Sequence, residues 1–550
     1  MITANNSPLR RQVAELVVVR ASGHASDHQR RYPRWEQSNK KLQRLLSDGV
    51  GGVILLGGTT TELISRCKNL RQWAQAPLLI CADVEEGVGQ RFEGGTWLVP
   101  PLALGQLFQK EPERAVALAE RYGRCTGQQA KSCGLNWVLA PVCDINNNPA
   151  NPVINVRAWG EDPQTVAELI CAFERGLCSA GILGCAKHFP GHGDTETDSH
   201  LELPIVGHNQ ERLNNEELVP FRAAIANEIE SVMTAHLLIQ CLDQQRPATL
   251  SAAVLKHLLR DELNFQGLIV TDALVMESIS RSHGSGEAAV MAFEAGADLI
   301  LMPEDADEAI DAICAAITSG RIGLPQLNAA RQRRHLALEK VSNNSQATNT
   351  LQVSNKNTSE LESEADRLLA RELVEASLQV RHPKSIQSVD SGINLLRVDS
   401  LLPCPMLAAD APALTLPSSS NFQPLICHNL GLSPWQPNPK HPLALERLGD
   451  GSILLQLFLR GNPFKGRKDA SEPWAEAVQQ LQRDSRLAGL IVYGSPYLWE
   501  QLQQVLDADI PAAYSPGQMP EAQLQALNAL LATDEPQPAT GPTKFNEFTD

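Results

Sequence analysis

Short runs of β-branched and apolar residues alternate with longer stretches of helical spacing through the first three hundred positions. The runs fall at 16–20, 52–56, 78–83, 136–142, 184–188, 231–236, 267–272 and 297–302. Between them, 111–133, 163–180, 216–228, 252–263 and 286–295 carry apolar residues at the three-to-four spacing of a helix face. Strands bounded by turn residues and separated by helices mark parallel βαβ units. Eight such units predict an α/β chain built on a (β/α)8 TIM-type barrel over residues 1–340, ending in a helix near 324–340. An open doubly wound sheet is the alternative, and usually shows fewer strands. Ser, Asn, Thr and Gln then dominate 341–361, which is expected to be a polar linker. Helical spacing resumes at 362–378 and opens a smaller α/β C-terminal domain over 362–533. Its strands are expected at 392–398, 424–427, 452–459 and 487–493, and its helices at 499–506 and 521–531. Residues 534–550 read as a disordered tail.

Composition narrows the classes of function. The 550 residues are 43% hydrophobic and 20% charged, with a net charge of −16, which is ordinary globular usage. The acidity is spread along the chain, and without clustered Lys and Arg neither nucleic acid nor an anionic membrane is an expected partner. The longest apolar stretch near the start, Leu16 to Val19, is too short for a leader or a span. Twelve cysteines are scattered without the close pairs of a zinc or redox site. A reducing, cytoplasmic setting is expected.

In a barrel, chemistry gathers where the strands end, and here the strand ends or following loops carry Arg20, Asp83, Asp144, Lys187-His188, His236 and Asp272. The densest segment is Lys187-His-Phe-Pro-Gly-His-Gly-Asp-Thr-Glu-Thr-Asp-Ser-His200. Within it, Asp198 two residues from His200 places a carboxylate beside an imidazole, which can fix its tautomer and prepare it for proton transfer. Asp272 ends the apolar run Gly267-Leu-Ile-Val-Thr-Asp, where a lone carboxylate is costly unless used or paired. Glycosidases use such a group as a nucleophile. Asp83-Val-Glu-Glu-Gly-Val-Gly-Gln-Arg91 and the segment from Ala140 to Arg157 add groups suited to sugar hydroxyls. Asp83 can accept, and Arg91, Arg157 and Lys187 can donate.

Residues 1–340 resemble family 3 glycoside hydrolases of the bacterial β-N-acetylglucosaminidase branch. The segment 187–200 matches that branch's Lys-His-Phe-Pro-Gly-His-Gly…Asp-Ser-His signature. The resemblance implies that Asp272 is the nucleophile and His200 the general acid/base, with Asp198 as its partner. It implies that Asp83, Arg91, Arg157, Lys187 and His188 bind the terminal sugar. It also implies a retaining hydrolase of β-GlcNAc glycosides such as peptidoglycan fragments, without cofactor or metal. Related β-glucosidases draw a Glu acid/base from outside the barrel. Two segments depart from the family: Glu86-Gly-Val-Gly89 replaces Gly-Gly-Arg-Val, and Ala273 follows Asp272 where a second Asp is common. The C-terminal domain resembles the second domain of longer members.

Other readings stand beside these. Imidazoles and carboxylates are common zinc ligands, but His-Glu-x-x-His is absent. The loop at Asp144 fails the calcium pattern, with Pro149 and Asn155 where Gly and Glu are needed, and its asparagines fit Asx turns. The glycines at 51–58 lack the Lys-Ser/Thr of a phosphate loop. His236 reads equally as a structural residue, Asp83 also as an ion-pair partner, and Trp159 as packing or as a sugar platform. Within enzymes the alternatives are a β-glucosidase, β-xylosidase or glycoside phosphorylase. Outside them the alternative is a catalytically silent carbohydrate-binding protein.

Overall fold

A computed structural model describes residues 7–199, 202–281, 283–348, 361–399, 404–431, 433–461 and 471–532. The predicted tail, at 534–550, and His200 lie outside them. The first part carries β1 (Val17–Ser22), β2 (Gly52–Leu56), β3 (Leu79–Ala82), β4 (Trp137–Val138), β5 (Ala186–Phe189), β6 (Ile205–Val206), β7 (Ser231–Thr234), β8 (Leu238–Ile239), β9 (Leu268–Val270) and β10 (Ile300–Leu301). All eight apolar runs form strands, and their side chains are almost entirely buried, as strands covered on both faces require. They pair in parallel in the orders β10-β1-β2-β3-β4 and β5-β7-β9. Isolated parallel bridges, Trp137 to Leu183, Val142 to Lys187 and Val270 to Leu299, lie between these ladders. The result is a curled parallel sheet flanked by helices.

Helix starts follow from local chemistry. Thr59 and Glu62 form a reciprocal capping box on Thr60–Trp73, and Asp162 caps Pro163–Ser179, with Pro163 in the first turn. These devices hold the strand-to-helix turns on which the site is built. The helix expected at 324–340 runs Leu324–Thr348, eight residues into the stretch read as linker. That stretch contains no Gly or Pro to stop it.

The C-terminal unit is a six-stranded sheet of β11 (Gln379–Arg381), β12 (Gly392–Val398), β13 (Phe422–Cys427), β14 (Ser452–Leu459), β15 (Leu487–Gly494) and β16 (Ala512–Ser515), in the order β11-β16-β15-β14-β12-β13. Only β11 runs antiparallel to its neighbour. β11 and β16 are not predicted from the sequence, because three or four residues without a β-branched run give little signal. The helix expected at 499–506 begins earlier, at Pro496–Gln503, where Ser495 caps it and Pro496 opens it. Helix Glu364–Ser377 buries Leu369, Leu373 and Val374 in the apolar cluster of the first unit. Thr96 donates to Glu362 at 2.9 Å and Tyr497 to Glu161 at 3.0 Å, so polar contacts also join the two parts. No disulfide is present among the described residues, and no described helix is long and apolar enough to cross a membrane.

Candidate active site

The ends of β3, β4 and β5 bring five charged side chains together. Lys187 on β5 is 1% exposed. Its Nζ donates to Asp83 Oδ1 at 2.7 Å and lies 2.6 Å from Glu85 Oε1. Arg157, at the end of the short turn Asn155–Arg157, donates Nε and Nη2 to the two Glu85 oxygens at 2.8 Å each. This is the bidentate fork that suits guanidinium to carboxylate. Arg91 Nε donates to the Asp83 carbonyl at 2.9 Å. The Asp83 side chain is 36% exposed and is the most open member of the network's ion pairs.

Opposite charges decide the protonation states here. Burial works to raise the Glu85 carboxyl, but the Arg157 and Lys187 cations outweigh it and hold it well below the usual range. Burial works to lower the Lys187 ammonium, but Asp83 and Glu85 push it above its ordinary value. Both groups therefore stay charged, and the network is a fixed set of donors and acceptors.

His188 sits beside this network. Its Nδ1 is 2.7 Å from Asp144 Oδ2, and the Asp144 carboxylate also accepts from the backbone N–H groups of His188 and His192. Burial works to raise the Asp144 carboxyl, but His188 foremost, with His192, holds it below its usual value. The loop from 191 to 199 is tied to itself and to the strand ends. His192 Nε2 meets Ser199 Oγ at 2.7 Å, its Nδ1 meets Thr195 Oγ1 at 2.9 Å, and Asn151 Nδ2 donates to the His192 and Gly193 carbonyls. Asp194 accepts from Asn148 and Arg212 and faces His208 at 3.0 Å. Asp198 is buried within this loop. The asparagines adopt the expected turns: Asn148 Oδ1 accepts from Ala150 N, and Asn151 Oδ1 from Val153 N and Ile154 N.

Asp272 follows β9, and its Oδ1 accepts from Ala273 N at 2.7 Å. Its own N–H reaches Thr234 Oγ1 at the end of β7. His236 is fully buried, with Nδ1 on Thr249 Oγ1 and Nε2 on the Ala273 carbonyl, so it braces the chain beside Asp272. Trp159 is 1% exposed and packs against Tyr122 and Phe173, which makes it core and not a sugar platform. Arg20 lies inside β1, not at its end, with its guanidinium 5.0 Å from the Tyr32 ring centroid.

Sequence reasoning gave Glu85 and Glu86 no role. Glu85 has one signal: it is an ionisable side chain two residues beyond Asp83, in the turn that follows β3. The Gly89 departure has a steric reason, because a Cβ there would lie 2.3 Å from the Gly95 carbonyl oxygen and 2.5 Å from Trp97 N. Val88 is fully buried where the family carries Arg.

The opposite ends of the strands hold a different cluster. Glu174, Cys178 and Glu230 are the described side chains whose ligand atoms lie close enough to share a metal ion. Cys178 Sγ contacts Glu174 Oε1 at 3.2 Å, and Lys340 Nζ lies 3.6 Å from Glu230. Burial, reinforced by the Glu230 charge, pushes the Glu174 carboxyl well above its ordinary value.

The profile of the glycosyl hydrolase family 3 N-terminal domain matches residues 8–336, and that of the bacterial family 3 C-terminal domain matches 385–532. A protein named beta-hexosaminidase A from Pseudoalteromonas piscicida is 37% identical over 286 residues, 48% of this chain and 47% of its own length. The chain thus spans about half of that relative. A beta-hexosaminidase from Stenotrophomonas maltophilia is 37% identical over 276 residues, 49% of this chain and 81% of its own. Among solved structures, a family 3 beta-N-acetylglucosaminidase from Paenibacillus sp. str. FPU-7 is 28% identical with a TM-score of 0.73, covering 96% of this chain and 98% of that one.

Proposed function

This chain belongs to glycosyl hydrolase family 3, and from that premise we propose that it is a retaining exo-β-N-acetylglucosaminidase acting on terminal β-linked GlcNAc. Its first part is then a (β/α)8 barrel over residues 1–340, a reading supported by the eight parallel runs and the bridges between their two ladders. Residues 341–361 then link it to an α/β domain over 362–533. Asp83, Arg91, Arg157, Lys187 and His188 hold the sugar. The Asp272 carboxylate attacks the anomeric carbon and the glycosidic C–O bond breaks. His200, kept in orientation by Asp198, gives its proton to the departing oxygen. In the second step neutral His200 takes a proton from water, whose oxygen displaces Asp272 and restores the original anomeric configuration. An imidazole with an ordinary pKa of about 6.5 serves both proton transfers near neutrality. Small β-GlcNAc glycosides, peptidoglycan fragments among them, are the substrates.

The observation that carries this reading is the Asp83–Lys187–Glu85–Arg157 network, open to solvent at Asp83, at the ends of β3 and β5, in a chain that also places Asp272 after β9. The test is turnover of chromogenic β-GlcNAc, β-glucose and β-xylose glycosides with and without phosphate. Release of free GlcNAc, fastest among the three sugars and independent of phosphate, is the expected result. GlcNAc 1-phosphate as product would mean phosphorolysis. Sugar binding without turnover would leave a carbohydrate-binding protein.

A further inference from the structure

Glu85 and Glu86 are consecutive carboxylates, 3% and 1% exposed, and they face different partners. Glu85 takes Lys187 and Arg157 in the site. Glu86 accepts from Trp97 Nε1 at 3.0 Å and, through Oε1, from Arg460 Nη2 at 2.8 Å. Arg460 belongs to the C-terminal unit and directly follows β14. We propose that Arg460 is a positioning residue of the glycosidase site, holding the 83–91 segment and the Glu85–Arg157 fork in their sugar-binding arrangement. The proposal rests on the hydrolase reading above.

Three observations converge on it. The first is charge. A buried carboxylate without a cation is strongly disfavoured, and Arg460 forms the ion pair that Glu86 makes among the described residues. Without Arg460, Glu86 would take a proton, move toward water, or compete with Glu85 for Lys187 and Arg157. Each outcome disturbs the neighbouring residue that binds those two cations. The second is rigidity. The Glu86 N–H donates to Gln90 Oε1 at 3.1 Å, and its carbonyl accepts from Leu98 N at 2.8 Å. The backbone of 86–90 therefore transmits a displacement of Glu86 to Glu85 and to Arg91.

The third is the position of the next residue. A Cβ on Gly461 would lie 3.2 Å from the Pro152 carbonyl oxygen and 3.4 Å from Asn155 Cβ. Residues 152–155 lead into the turn that delivers Arg157. The consecutive residues Arg460 and Gly461 thus touch both segments that build the fork: the one bearing Glu85 and the one bearing Arg157. Near the same loops, Asn146 Nδ2 and Glu161 share the Tyr497 hydroxyl of the C-terminal unit. The C-terminal unit, which bears none of the proposed catalytic side chains, buttresses the site from outside the parallel strands.

The test is a charge-pair cycle in the full chain, read by turnover of a chromogenic β-GlcNAc glycoside. Arg460→Gln should lower kcat/KM by about 10²-fold, the scale of a roughly 1 Å misplacement, with most of the change in KM. Arg460→Lys should recover part of it. Combining Arg460→Gln with Glu86→Gln should return kcat/KM to within about threefold of Glu86→Gln alone, as coupled partners do. A kcat/KM for Arg460→Gln within about twofold of the parent, or a double variant no better than Arg460→Gln, would overturn the proposal. If Arg460→Gln does not fold, the comparison of Glu86→Gln with the double variant decides. A parent protein without turnover counts against the hydrolase reading alone. Amide exchange across residues 83–98 then decides the matter: faster exchange in Arg460→Gln upholds the pair, and unchanged exchange refutes it.

Discussion

Glu85 and Glu174 are buried carboxylates at opposite ends of the same parallel strands. Glu85 lies between Lys187 and Arg157, at the ends of β3 and β5, and is held well below its ordinary pKa despite its burial. Glu174 lies beside Glu230 and Cys178, where the chain approaches β5 and β7, and is pushed well above. Burial acts in the same direction on both, so the sign of the neighbours decides the outcome. Close by, Asp298 shows an intermediate case. Arg260 and Arg333 both pair with it, yet burial still leaves it raised. One end has its charges fixed by opposite partners, which suits recognition. The other sets two carboxyls side by side, where burial and the Glu230 charge favour the protonated form of Glu174.

The sharpest test of that division is Asp272→Ala. It should reduce kcat/KM by on the order of 10⁴-fold or more while the unfolding midpoint stays within about 2 °C of the parent. A large loss of stability would mean that Asp272 belongs to the frame rather than the chemistry.

Glu85→Gln comes next and should affect both quantities. Activity should fall, and stability at pH 7 should drop by about 3 kcal/mol, because Lys187 and Arg157 lose their shared anion. Since the folded-state pKa of Glu85 is depressed, its contribution is present above the unfolded value of 4.5 and lost as pH falls through the folded value. Denaturant titrations should therefore show the two proteins converging in acid.

Glu174→Gln should have the smallest effect and the opposite pH trend. A raised folded-state pKa means that the folded protein holds this proton more tightly. The Glu174 contribution is therefore fully present below the unfolded value of 4.5 and is lost as pH rises. The Gln variant should match the parent in acid and exceed it by about 1 kcal/mol at pH 8, with turnover unchanged. A variant less stable at pH 8 would show that the ionised pair is favourable and would dissolve the contrast.

What the sequence disclosed followed the same physical divide. The eight strands are legible because parallel strands covered on both faces demand apolar runs, and residues 52–56 and 268–270 satisfy that demand without tertiary help. Asp83, Lys187 and Asp272 stand out as charges at or near the ends of those runs. Glu174 and Glu230 do not, since nothing in a helix interior or in the bend before a strand announces that one carboxyl will pack against another. The Asp83–Lys187 pair spans 104 residues and the Glu86–Arg460 pair 374, distances at which periodicity carries no information. β16 is not legible in the sequence because Ala512-Ala-Tyr-Ser is made a strand by its neighbour β15, not by its own propensity.

The ties among His192, Thr195, Ser199 and Asn151 have a consequence in time. A loop that closes only around its ligand must surrender conformational freedom at every encounter. The segment 191–199 surrenders it once, when the chain folds, because its side chains already bond one another and Gly193 presses against the Ile145 backbone.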